Sequence, residues 1–182
     1  MFYLFLIFFV FGSRKWFLIF FKRQLIHFLL FFCVSINMST AKEFMKIPVD
    51  PIPLKIITEK GTIFYKVELA FSKAQSKAGL MYRTDFPHDH AMLFRNVISD
   101  KPENEREMLM WMADTPLPLD MMFVDSRGII VSIVENARPF SEDIISSKVP
   151  AAFAIEINAG EVADKRIQKG QRIIHPAIYE KY

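Results

Sequence analysis

Apolar and polar residues alternate through residues 62–70, with Ile63, Tyr65, Val67 and Leu69 on one side and Lys66 and Glu68 on the other. A period of two predicts a half-buried strand. Ser72 is placed to cap a short helix over 73–79, which Gly79 can end in a left-handed conformation. Residues 80–83 follow directly. The Asp, His and Pro residues of 84–90 predict a loop, 92–97 a strand, and the charged run 99–106 a solvated loop. Residues 108–113 are apolar on both faces, which predicts a central strand. Asp125-Ser126-Arg127-Gly128 is a turn joining 121–124 to 129–134 as a hairpin. Residues 139–150 read as a polar loop, 151–157 as a strand, 161–167 as one or two helical turns and 171–175 as a last strand. Six or seven short strands, one or two short helices and no long amphipathic helix predict a mainly β fold, a compact β-sandwich or partly open, jelly-roll-like barrel.

One stretch interrupts this rhythm. Between the apolar runs ending at Met112 and resuming at Met121, Pro116 and Pro118 lack amide donors and fix their own φ, so a ladder breaks between Asp114 and Asp120. Polar side chains are thereby held on a stiff corner.

The same corner, with Pro118-Leu119-Asp120, belongs to a set of blocks that includes Gly79-Leu80-Met81-Tyr82-Arg83, Met92-Leu93-Phe94 and Glu156-Ile157-Asn158-Ala159-Gly160. In this order they resemble the bacterial and archaeal family known as Domain of Unknown Function 192. The resemblance spans about residues 62–175 and implies a small, mainly β domain, often exported, with no established activity. The chain departs from the family pattern at Ala113 and Asp114, where a basic residue and Asn usually follow the Trp-Met pair, and at Ala91, which usually is Gly.

Composition divides the chain. The first 36 residues hold 11 of the 19 Phe, four basic residues (Arg14, Lys15, Lys22, Arg23) and no acid. Lys22-Arg23, an apolar run over 25–36 and Ser39-Thr40-Ala41 match the charged region, hydrophobic core and small-residue site of a signal peptide. An earlier apolar run, 1–12, leaves open an uncleaved anchor or an upstream false start. The expected organisation is a signal peptide or membrane anchor over 1–41, an extended linker over 42–61 marked by Pro48, Pro51 and Pro53, and one β domain over 62–182. The destination is periplasmic or secreted, or the inner membrane if the leader stays attached.

Removing the leader changes the charge. The whole chain is +3, but residues after 41 carry 19 basic and 20 acidic groups. With no basic stripe, nucleic acid has no electrostatic footprint, and membrane contact is expected only through the leader. The single cysteine, Cys33, lies in the leader, so the β domain has neither disulfide nor thiol nucleophile.

Arg83, Asp120 and Glu156 are charged groups set among apolar neighbours, so Arg83 is expected to pair with one of the two carboxylates. The pair either fixes strand register or presents an Arg to an anionic or polyhydroxylated ligand. Asp114, Thr115 and Asp120 bracket the corner beside Trp111, which is either core or a sugar-stacking platform. Met81, Met92, Met108, Met110, Met112, Met121 and Met122 are adaptable core fillers or, in an exported protein, soft copper ligands. His88 and His90 read as residues of an exposed loop or as a metal chelate, and His175 has no visible partner. Phosphate-loop, dinucleotide, zincin and serine-hydrolase motifs are absent, and no cofactor is implied.

The resulting expectation is an exported cell-envelope domain that binds a small polar or glycan-like ligand without catalysis. Arg83, Trp111, Asp114, Thr115, Asp120 and Glu156 are its candidate contacts. The alternatives are a hydrolase or lyase acting on an envelope carbohydrate, with Asp114 or Asp120 as base, and a methionine-lined copper carrier.

Overall fold

A computed structural model describes residues 42–96 and 106–179. The leader, and with it the signal-peptide or anchor reading, lies outside these residues, as does most of the charged loop after Asn96. In chain order the elements are β1 (Leu54–Thr58), β2 (Gly61–Ala70), α1 (Lys73–Ala78), β3 (His90–Arg95), β4 (Glu107–Met110), β5 (Leu119–Val124), β6 (Ile130–Ala137), β7 (Ile145–Pro150), β8 (Phe153–Asn158), α2 (Glu161–Asp164), β9 (Arg172–Ile174) and α3 (Pro176–Tyr179).

Seven strands form one sheet in the order β6-β5-β8-β3-β2-β1-β9, and β4 pairs with β7 in a separate ribbon. The β2–β3 pair is parallel, because α1 carries the chain back across the sheet, and the other pairs within the sheet are antiparallel. The sheet curls until its ends meet. Ile129 bridges Arg172, and amides of Ile130, Gly170 and Ile173 bond across the seam at 2.7 to 3.0 Å. The result is a partly open barrel with a second sheet, as the alternation of the sequence predicts.

Alternation along each strand sorts the core into two layers. Leu54, Ile56, Tyr65, Val67, Leu93, Met122, Ile155 and Ile157 belong to one, inside the curled sheet. Met92, Phe94, Met121, Phe123 and Ala154 point the other way, where Leu80, Phe86, Met108, Met110 and Met112 cover them. Because both faces are covered, β5 is buried at every position.

The Ser72 cap is present as a capping box with Gln75, Gly79 closes α1 at φ 45°, and Asp125 to Gly128 make the β5–β6 turn. Three expectations change. Residues 42–61 are not all linker, since β1 is hydrogen-bonded on both edges, to β2 and β9, and Ile47 is buried. Prolines 48, 51 and 53 stop short of the strand, so residues 54–58, with Leu54, Ile56 and Ile57 among them, were free to pair. Residues 139–150 are not all loop, because β7 supplies the partner of β4. The strand at 108–113 is not central either: β4 sits in a two-stranded ribbon, where Leu109 is exposed and Met108 and Met110 are buried.

Candidate functional site

The feature that stands out physically is Glu156. It lies on β8 in register with Met92 of β3 and Met121 of β5, on the face of the sheet that the β4–β7 ribbon covers. The residue is buried, and among the described residues no hydrogen bond or ion pair reaches its carboxyl, whose oxygens are not sealed in the core. Burial alone pushes its pKa up to about 8 from the ordinary 4.5, so the group is largely uncharged at neutral pH.

Glu156 is also open to a cleft of about 610 Å³. The cleft runs between the end of α1, the end of β3 and the inner side of β4, with Leu80, Phe94, Met108, Met110 and Trp111 as apolar walls. Thr115 also lines it, and its hydroxyl donates to the Ala113 carbonyl oxygen at 3.2 Å. A mainly apolar concavity with one perturbed acid at its floor is how small-molecule sites are built.

Three of the six candidates expected from the sequence, Trp111, Thr115 and Glu156, therefore share this cleft; Arg83, Asp114 and Asp120 are not among its lining residues. Arg83 pairs with neither expected carboxylate. Its guanidinium holds Glu68 through three contacts of 2.8 to 3.0 Å, with the rings of Phe44 and Phe86 5.5 and 5.3 Å away. Glu68, expected on the solvent side of β2, is buried. Nearby, the buried Nδ1 of His90 lies 3.9 Å from Glu68 and has no hydrogen-bond partner among the described residues.

Asp114 adopts φ 54°, its carbonyl oxygen accepts from the Tyr82 amide at 2.8 Å, and its carboxylate accepts from the Tyr82 hydroxyl. The rigid corner is thus tied to the chain before Arg83. Asp120 is adjacent in register to Ile157, one position from the Met121–Glu156 pair, so alternation turns it to the opposite face from Glu156. It is wholly buried and accepts the amides of Asn136 at 2.8 Å and Val162 at 2.9 Å. Its oxygens are occupied by backbone, which makes it a support of α2 rather than part of a cleft.

A second polar cluster escaped sequence reading. The Tyr65 hydroxyl donates to Glu161 Oε2 at 2.7 Å, Lys165 Nζ reaches both Glu161 and the Tyr65 hydroxyl, and His88 Nδ1 lies 2.9 Å from Glu161 Oε1. Burial and the Glu161 carboxylate push the Tyr65 hydroxyl far above its ordinary pKa. Glu161 and Lys165 stand one helical turn apart, four residues on, which brings their side chains together. His175, which had no partner in the sequence, bonds the Ile52 carbonyl oxygen and the Ala177 amide. Six of the seven clustered methionines are buried in the core, and Met81 is half-buried. Among the described residues no three His, Cys, Asp or Glu side chains come together as metal ligands.

Comparison with known proteins fits this architecture. The model of the DUF192 family, described as an uncharacterised ACR, matches residues 55–175, and the chain belongs to that family. A protein from Sinorhizobium meliloti 1021 described as a "putative transcription regulator" superposes with a TM-score of 0.63 at 40% identity, over 71% of this chain and 97% of its own. A protein of unknown function from Novosphingobium aromaticivorans DSM 12444 superposes with a TM-score of 0.62 at 27% identity, over 76% of this chain and 99% of its own. No curated protein sequence matches.

Proposed function

We propose that this member of the DUF192 family is an exported envelope protein that binds a small polar ligand, without catalysis, in the cleft floored by Glu156. The observation that carries the reading is the unpartnered carboxyl of a buried residue open to a mainly apolar cleft. A buried polar group without a partner costs free energy that a matching ligand recovers on binding. Trp111 and Phe94 supply flat apolar surface, and Thr115 and the Glu156 carboxyl supply direction.

Two observations favour binding over hydrolysis. Asp114 and Asp120, the proposed bases, are engaged by Tyr82 and by backbone amides, and neither lines the cleft. Glu107, the other acid among the described residues that line the cleft, accepts from the Ser146 hydroxyl at 2.5 Å and is exposed. The description of the Sinorhizobium protein as a regulator finds no support in charge, since residues after 41 carry 19 basic and 20 acidic groups. Export rests on the leader-like composition of residues 1–41.

Crystals of the protein soaked with a panel of small alcohols, amides, amines and sugars test the site. Density in the cleft within hydrogen-bond distance of Glu156 is expected, and compounds that bind only elsewhere would remove the reading. Fractionation of cells expressing a C-terminally tagged full chain tests export, which a wholly cytoplasmic product would overturn.

A further inference from the structure

The described carboxylates buried in this fold follow a rule with one exception. Glu68 has Arg83, Glu161 has Lys165, and Asp120 has two backbone amides. Glu156 has none of these, although it is equally buried. Its neighbours in the sheet, Met92 and Met121, donate nothing, and the Thr115 hydroxyl already donates to Ala113. Among the described residues, the charged groups that share the cleft do not supply the missing partner. Lys77 of α1 is exposed, Glu107 of β4 is engaged by Ser146, and Arg95 of β3 lies over Phe71 at 4.3 Å and donates to the Ala177 carbonyl oxygen.

We propose that the cleft recognises a protonated amine carried on an apolar body of aromatic size, and that Glu156 is the anion that receives it. The ligand's ammonium then does for Glu156 what Arg83 and Lys165 do for Glu68 and Glu161. Trp111 and Phe94 line the space beside that ion, where an aromatic face favours a desolvated cation. Charge balances by loss of a proton: neutral Glu156 and the ammonium form a carboxylate–ammonium pair, and one proton leaves to solvent. This inference rests on the cleft being the binding site.

Calorimetry on the full-length protein separates the two ideas. The probes are 2-phenylethylamine and tryptamine, their neutral counterparts 2-phenylethanol and tryptophol, and phenylacetate. Near neutral pH each amine is expected to bind at least about tenfold more tightly than its alcohol, with phenylacetate weakest. Titration in two buffers of different ionisation heat should show close to one proton released. Since Glu156 is protonated below its pKa of about 8, amine affinity should rise about tenfold per pH unit up to that point and then level. In Glu156→Gln, which keeps the shape of the neutral acid, the amine preference and the proton release should both vanish while alcohol binding remains. Alcohols that bind as tightly as amines, or amine binding without proton release, overturn the amine assignment and leave the cleft as a binding site. Binding by none of the five compounds overturns the amine assignment, and an empty cleft in the soaked crystals separately removes the site itself. The pH and buffer dependence of the unsubstituted protein decides the matter even if the variant folds poorly.

Discussion

The Arg83 guanidinium grips both oxygens of Glu68, with Nη1 2.8 Å from Oε2 and Nη2 3.0 Å from Oε1. The pair welds the segment after α1 to β2 beneath Phe44 and Phe86. Removing one partner strands a buried charge, so Arg83→Met should destabilise by about 3–5 kcal/mol in urea unfolding. Arg83→Lys should recover only part of this, because an ammonium cannot match two oxygens at once. Pairing Arg83→Met with Glu68→Gln should restore most of the loss. A double variant as unstable as the sum of the singles would mean that the two residues act independently.

Glu156 sets a pH dependence of the opposite sense to that of an ordinary ion-paired acid. Its folded pKa, about 8, lies above the ordinary 4.5, so the native state holds the proton that the unfolded chain releases. Stability linked to this group is complete below pH 4.5 and is lost as pH rises toward 8, at roughly 1.4 kcal/mol per unit. Glu156→Gln removes the slope and should be more stable than the parent by on the order of 4 kcal/mol at pH 7.5. Thermal and urea melts from pH 5 to 9 read this directly, and parallel curves for the two proteins would show that the carboxyl is hydrated or paired.

Closure of the barrel depends on Gly128. It adopts φ 79°, and a Cβ there would meet Tyr179 Oη at 2.5 Å and the Ile173 carbonyl oxygen at 2.6 Å. Those same atoms bond each other at 2.9 Å, and the Ile173 amide bonds the Gly128 carbonyl oxygen at 2.7 Å. Gly128→Ala should therefore cost about 2 kcal/mol or more, combining strain with loss of the seam. Hydrogen exchange should speed up at the Ile173 amide while β8, in the middle of the sheet, stays protected. Uniform loss of protection would show that the seam and the sheet open together.

Local chemistry was legible in this chain, and long-range pairing was not. The Ser72 cap, the Gly79 stop, the Asp125–Gly128 turn and the alternation of β2 each depend on residues within a few positions, and the structure contains them all. β7 carries Ser and Lys and becomes a strand only because β4 lies beside it, so no period announced it. Glu68 looked solvated because alternation separates two faces and does not say that both are covered. The candidate site divided for the same reason. Trp111, Thr115 and Glu156 converge on one cleft, whereas Asp120, one step along its strand from Met121, is sent to the other face by the period of two.

Asp120 gives the sharpest distinction between supporting and binding roles. One oxygen accepts the Asn136 amide on β6 and the other the Val162 amide at the start of α2, so a single buried side chain joins three elements. Asn at this position has the right shape but only one acceptor, and its NH₂ would face a backbone N–H at 2.8 or 2.9 Å. Asp120→Asn should cost about 1–3 kcal/mol for the unsatisfied donor, and more because the lost bond was charge-assisted. Asp120→Ala should cost a similar amount, since it strands both amides and leaves a void. Neither change should alter the affinity of the Glu156 cleft once the protein is folded, because Asp120 lies on the opposite face of the sheet. Melting and calorimetry on the same Asp120→Asn sample separate the two roles. A stable variant with lost affinity would place Asp120 in the binding site, and an unstable variant with full affinity would place it in the frame that holds α2.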